Sequence, residues 1–268
     1  MALISCSYYS PALSGKNDFY LVIPNDLPPM MTAMTAKTPA FQRPMKTIVL
    51  LHGFSGCSRD WLNGSSIQDL CSQYNVAAVM PSCRNSFYLD RPASGENFSE
   101  FVGEELIGYC RKVFGLSDRR EDTFICGYSM GGYGAMRTGL KYSHNYSKLA
   151  AFSSGFIYRE VSQMTPGHGN FAAGYDYYAA TFGTPATVME RDVNPEVLVK
   201  EKLAAGEKLP DIFMACGTED MLLPLNKAFD AFLTEQGVKH EAYFTPGEHN
   251  FRFWNPYLEK ALLWMLDE

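Results

Sequence analysis

Ser129, Asp220 and His249 are the side-chain types that together turn an alcohol into a nucleophile, and they occur along the chain in that order. A serine hydroxyl is weak until a base takes its proton, and imidazole suits that task because it ionises near neutrality. A carboxylate on the far ring nitrogen fixes the tautomer and stabilises the imidazolium that forms. Such a set performs acyl transfer: the serine attacks a carbonyl, and water later releases the acyl group. Ser129 lies in Gly127-Tyr128-Ser129-Met130-Gly131, which fits G-x-S-x-G. In that pattern the serine occupies a sharp turn between strand and helix, and the glycines stand where a side chain would meet neighbouring backbone.

Each of the three residues needs an element to deliver it. Thr123 to Cys126 is an apolar run of the kind that makes a buried strand, and helical spacing begins after it, from Ser129 to about Tyr142. Asp220 closes Gly217-Thr218-Glu219-Asp220, just after the apolar run Pro210–Cys216. His249 sits in Pro246–Asn250, just after the predicted strand His240–Thr245. Loops that follow parallel strands meet at one sheet edge, so all three residues are expected there. Other candidates fit less well. His168 lies in a long loop and is read as touching substrate or solvent, and His240 as an exposed strand residue. Asp211 precedes its strand and Asp230 lies inside a helix. Glu219 and Glu248 neighbour the chosen residues and are read as pointing away.

The strand Thr47–Leu51 runs into His52-Gly53-Phe54-Ser55-Gly56. A second oxyanion donor belongs at such a place, here the backbone N–H of Phe54, although a plain turn would use the glycines equally well. His52 is read as a structural brace for this loop. Asn85–Asp90 is an aromatic loop after the strand Val76–Met80, on the edge where ligands bind. Its Phe87 and Tyr88, with Tyr128 beside the serine, are candidate substrate contacts. Residues 155–191 break the strand–helix rhythm and read as an inserted, lid-like segment over Ser129. Phe156, Tyr175 and Tyr178 are its candidate substrate contacts, within an aromatic wall that also includes Tyr158, Phe171, Tyr177 and Phe182. The competing expectation is that these rings anchor the segment to the core.

The remaining chain supplies the frame. Ile4–Ser10 and Asp18–Pro24 read as an antiparallel hairpin. Pro28–Pro44 reads as a surface loop, with Met30, Met31 and Met34 as residues that could shield a pocket. Helical spacing marks Asp60–Tyr74, Asn97–Phe114, Asn194–Ala205, Leu222–Gln236 and Phe251–Leu266, and Leu149–Ser153 is a further strand. Glu100, Glu104 and Glu105 are read as a solvated helix face rather than a metal or acid–base site. With no repeat and no linker, residues 1–268 are expected to form one α/β domain: a mainly parallel sheet, helices on both faces, and an N-terminal antiparallel hairpin.

Composition narrows the function classes. The 268 residues are 46% hydrophobic and 19% charged, as in an ordinary globular protein. A net charge of −6 without a Lys/Arg cluster argues against nucleic acid as a partner. No apolar run approaches the roughly 20 residues of a membrane helix. The seven cysteines are scattered without a C-x-x-C pair, which suits buried thiols in a reducing compartment. Leu3-Ile4-Ser5-Cys6 is similar to a lipoprotein cleavage site, but no basic or apolar segment precedes it, so a cytoplasmic protein is expected.

The stretches Leu51–Gly56, Gly127–Gly134, Gly217–Asp220 and Gly247–His249 resemble the esterase D-like family of α/β-hydrolases. Within it, the sequence is most like the tributyrin esterases and their acetyl and feruloyl esterase relatives, over nearly the whole chain. The resemblance implies an α/β-hydrolase fold and a small-molecule ester substrate with an acyl chain of two to four carbons. It also implies an oxyanion hole from the N–H groups of Phe54 and Met130, with no cofactor or metal. S-formylglutathione hydrolases are the nearest alternative, but they usually carry a cysteine-bearing loop where this chain has His52-Gly53. Antigen 85-like mycolyltransferases share the fold and are exported. A non-catalytic binding module of the same fold is the alternative from another class, and such proteins usually lack one member of the triad. The oligomeric state stays open, a homo-oligomer included.

Overall fold

The computed structural model describes residues 1–24 and 39–267. Along the chain the strands are β1 (Ala2–Ser10), β2 (Gly15–Ile23), β3 (Lys46–Leu51), β4 (Val76–Pro81), β5 (Asp90–Arg91), β6 (Glu96–Asn97), β7 (Thr123–Tyr128), β8 (Lys148–Phe152), β9 (Asp211–Gly217) and β10 (His240–Thr245). Among the described residues, eight of them form one sheet in the order β1-β2-β4-β3-β7-β8-β9-β10, and β5 pairs with β6. From β4 to β10 every neighbouring pair is parallel, whereas β1 and β2 form an antiparallel hairpin that joins β4.

Continuous apolar runs become central strands because successive side chains leave on opposite faces and both faces are covered. On one face Val49, Leu51 and Ile125 join a core with Met136 and Leu140 of the helix Met130–Lys141 and with Phe101 and Leu106. On the other, Ile48, Leu50, Phe124 and Cys126 meet Leu258 and Leu262 of the helix Phe251–Leu266 and Ile67 and Leu70 of the helix Ile67–Tyr74. Each such side chain taken fully out of water contributes about 1.5–3 kcal/mol before entropy is counted. The fold class expected from the sequence is the one observed.

Several boundaries differ from expectation. The helix expected over Asp60–Tyr74 is two, Asp60–Gly64 and Ile67–Tyr74, with Ser65 extended between them. Ser65 Oγ accepts the Ile67 N–H at 3.2 Å, across the junction between the two helices. Asn97–Phe114 is likewise composite, with a wide π turn at Phe101–Glu105 before the α-helix Leu106–Phe114. Glu100 and Glu104 are exposed as expected, but Glu105 faces the hairpin. Its carboxylate accepts from Tyr8 Oη at 2.9 Å and from the Ala12 N–H at 2.7 Å.

Residues 155–191 are not structureless. They hold short helices at Tyr158–Ser162 and Tyr175–Phe182 and a 3₁₀ stretch at Pro185–Glu190. Of the loop expected at Pro28–Pro44, residues 28–38 with Met30, Met31 and Met34 lie outside the described residues, and Pro39–Gln42 is a short helix. Five cysteines, Cys71, Cys83, Cys110, Cys126 and Cys216, are buried as free thiols. Among the described residues no helix is long and apolar enough to cross a membrane.

Candidate active site

Ser129 joins β7 to the helix Met130–Lys141 with φ 56° and ψ −122°. That conformation is sparsely allowed for an L-residue and costs on the order of 1–3 kcal/mol unless its surroundings enforce it. They do. Its N–H donates to the Phe152 carbonyl at 2.9 Å, and its carbonyl accepts from the Gly132 N–H at 3.0 Å and the Gly155 N–H at 2.9 Å. A side chain at Gly127 would run into the carbonyl of Gly131, and one at Gly131 into the carbonyl of Leu51. The two flanking glycines are therefore steric requirements of the turn.

Asp220 and His249 come from the loops after β9 and β10. His249 Nδ1 donates to Asp220 Oδ2 at 2.8 Å, and Asp220 Oδ1 accepts the Leu222 N–H at 2.8 Å. Burial acts to raise the Asp220 carboxyl, but hydrogen bonds from His249, Leu222 and Ser153 outweigh it and hold the group below the usual carboxylate range. Ser153 is itself fixed by Trp254, whose Nε1–H donates to Ser153 Oγ at 2.9 Å. Indole can only donate, so the serine hydroxyl keeps its own hydrogen for Asp220. The Trp254 ring also stands edge-on to His249, with centroids 5.0 Å apart.

Glu219 does not simply point away, as the sequence suggests. Its carboxylate accepts the Gly247 N–H at 2.5 Å and the Thr218 hydroxyl at 2.8 Å. With Thr218 N–H to Thr245 O and Glu219 N–H to Gly247 O, it zips the aspartate loop to the histidine loop. The Glu248 carboxylate accepts from the Asn250 amide at 3.0 Å. Glu219, Ser153 and Trp254 were missed by sequence reasoning, and only the adjacency of Glu219 to Asp220 hinted at one of them.

The remaining histidines lie elsewhere. His52 is buried, its Nδ1 donating to the Gly53 carbonyl at 2.8 Å and its Nε2 accepting the Cys83 N–H at 2.9 Å. Burial pushes its pKa down, so the neutral ring joins two loops as a brace. His240, expected to be exposed, is instead covered and bonded to Asp230 at 2.8 Å. His168 is exposed beside Thr165.

Ser129 and His249 line one cavity of about 280 Å³, together with Phe54, Met130, Phe87 and Tyr178 from the expected set. Phe87 reaches it from a left-handed backbone, φ 50°. The N–H groups of Phe54 and Met130 have no acceptor among the described residues. Four expected substrate contacts do not line this cavity. Tyr88 is buried and donates to the His52 carbonyl at 2.8 Å. Tyr128 donates to Asp60 at 2.8 Å and stacks on Trp254. Phe156 stacks on Phe229 with centroids 4.4 Å apart, as a core anchor. Tyr175 borders a separate hollow with His168. The cavity wall instead includes Ile157, Asn170, Met221 and Leu222, drawn from separate loops. Among the described residues, no group of His, Cys, Asp and Glu is arranged to hold a metal ion.

Comparison with known proteins agrees with this architecture. The family model described as "Putative esterase" matches residues 30–265. An acetyl esterase of Caldicellulosiruptor saccharolyticus is 37% identical over 99% of this chain and 98% of its own. Among solved structures, the fluorophosphonate-binding serine hydrolase FphF of Staphylococcus aureus superposes with a TM-score of 0.84 at 26% identity, covering 100% of this chain and 99% of that one. The S-formylglutathione hydrolase FrmB of the same organism gives 0.79 at 25% identity, covering 99% and 98%. The chain belongs to the esterase family that this model describes, on an α/β fold shared with serine hydrolases.

Proposed function

We propose that the protein is a serine carboxylesterase of the esterase D-like, tributyrin esterase type, which cleaves short-chain acyl esters through an acyl-enzyme. One observation carries this reading: the strained Ser129 shares a cavity with a histidine whose far nitrogen is bonded to the buried Asp220. Ser129 Oγ attacks the ester carbonyl carbon while His249 Nε2 takes its proton. The N–H groups of Phe54 and Met130 receive the developing oxyanion. His249 then protonates the leaving alcohol, accepts a proton from water, and returns it to Ser129 as the acid departs. Asp220 stays ionised throughout and stabilises the imidazolium. No cofactor enters these steps.

At about 280 Å³ the cavity is small beside the roughly 300–1,000 Å³ usual for small-molecule sites, which favours acyl chains of two to four carbons. The likeness to an acetyl esterase supports the same range. Hydrolysis of 4-nitrophenyl acetate, butyrate and octanoate tests it. We expect kcat/KM to fall steeply beyond butyrate, and an octanoate preference would contradict the assignment. The likeness to FrmB supports a second reading, an S-formylglutathione hydrolase-type thioesterase. Glutathione brings two carboxylates, and no lysine or arginine among the described residues lines the cavity to receive them. The unpaired cysteines support a cytoplasmic setting for either reaction.

A further inference from the structure

Among the described residues, a single carboxylate stands in the wall of this otherwise largely apolar cavity. Glu160 lines it beside the aromatic rings of Phe54, Phe87, Phe171 and Tyr178, with no lysine or arginine among the described wall residues. Its position is set by a polar platform. Asn170 Nδ2 donates to Glu160 Oε1 at 3.0 Å. Asn170 Oδ1 is committed to three donors: Tyr178 Oη at 2.9 Å, the Ala172 N–H at 2.9 Å and the Ala173 N–H at 3.2 Å. With its oxygen held in this way the asparagine cannot flip, so its amide must face Glu160. Tyr178, which anchors this platform through Asn170, is buried.

The neighbouring cation is already occupied, because Arg159 pairs with Glu196 at 2.5 Å. Glu160 has no ion-pair partner among the described residues. The rings form a contiguous cluster, with Phe54 and Phe87 centroids 6.1 Å apart and Phe87 and Tyr178 6.4 Å apart. Phe171 is 86% exposed at the rim. Aromatic faces beside one unpaired carboxylate are the surroundings that hold an ammonium group, since ring quadrupole and charge both attract a cation.

We propose that this cavity selects esters bearing an ammonium group over their neutral isosteres and disfavours esters bearing a carboxylate, with Glu160 as the determinant. The proposal rests on Ser129 being the nucleophile. The ammonium group is not altered in the reaction, and only the acyl–oxygen bond is cleaved.

The test compares kcat/KM for acetylcholine with that for 3,3-dimethylbutyl acetate, in which carbon replaces the quaternary nitrogen. In the wild type at low salt, a ratio of at least ~3 is expected, falling as sodium chloride screens the exposed charge. In Glu160→Gln the ratio should fall towards one, whatever the variant does to the neutral ester. Mono-4-nitrophenyl succinate should gain relative to 4-nitrophenyl butyrate in the same variant. A wild-type ratio of one or less overturns the proposal, as does a ratio unchanged in a Glu160→Gln enzyme that still takes a fluorophosphonate label. If that variant fails to fold, the salt dependence of the wild-type ratio decides, and a salt-independent ratio is the contrary result. A wild type that neither labels nor hydrolyses either ester overturns the serine-esterase reading and this proposal with it.

Discussion

At the scale of single residues, the proposed chemistry depends on a serine held in strain and a carboxylate kept ionised. His249→Ala should lower kcat by roughly 10⁴-fold or more, because the oxyanion donors and binding contacts remain but the base is gone. Asp220→Asn should be severe but milder, since the ring can still sample the working tautomer. Steady-state kinetics on 4-nitrophenyl acetate checks both, and a silent Asp220→Asn would shift the role to another carboxylate. Asp220 is held below the ordinary carboxylate range, first against its burial and then by its three hydrogen bonds. Its protonation therefore lies below the ordinary aspartate value, and activity on acidification should end through a different group. The acid limb of kcat/KM should accordingly show a single-proton slope above about pH 4. A limb confined below that pH would place the essential ionisation on the aspartate instead.

At the scale of elements, two aromatic residues from the expected set separate wall from scaffold. Phe87 lines the cavity, whereas Phe156 is buried against Phe229. Phe156→Ala should cost about 3–5 kcal/mol of stability and leave the ranking of acyl esters alone. Phe87→Ala should change that ranking, each lost contact being worth on the order of 1–3 kcal/mol of discrimination. Chemical unfolding and an ester series measure the two effects, and identical outcomes would contradict the distinction. The central strands were legible in the sequence because both faces of β3 and β7 demand apolar residues. Ser129, Asp220 and His249 were legible as candidates because each follows such a strand. The break at Ser65 was not, because a serine that bridges the end of one helix to the start of the next looks like any polar surface residue. Part of the cavity wall was hidden too: Ile157, Asn170 and Met221 had no chemical signature of their own and converge only after the loops pack. Tyr88 and Tyr128 misled because aromatic residues near an active edge serve as buried supports as readily as walls.

At the scale of the whole molecule, ion pairs tie the frame that carries the site. Asp122, at the foot of β7, pairs with Lys46 at the start of β3 and accepts from Ser117 Oγ at 2.6 Å. Burial acts to raise its pKa, but Lys46, Ser117 and Arg119 outweigh this and hold it low. A carboxyl whose folded pKa lies below its unfolded value stabilises the fold above the unfolded pKa, and that contribution is lost as pH falls through the folded one. Asp122→Asn should therefore destabilise the protein at pH 7 by about 1–3 kcal/mol, with the difference from wild type vanishing in strong acid. Urea unfolding across pH measures this, and a pH-independent difference would contradict it. The central claim, that this frame presents Ser129 as an activated nucleophile, is tested most directly by mass spectrometry. After incubation with a fluorophosphonate, a single adduct is predicted on the peptide containing Ser129, absent from Ser129→Ala and strongly slowed in His249→Ala. An adduct on another serine, or an unlabelled protein that still hydrolyses esters, would contradict the account.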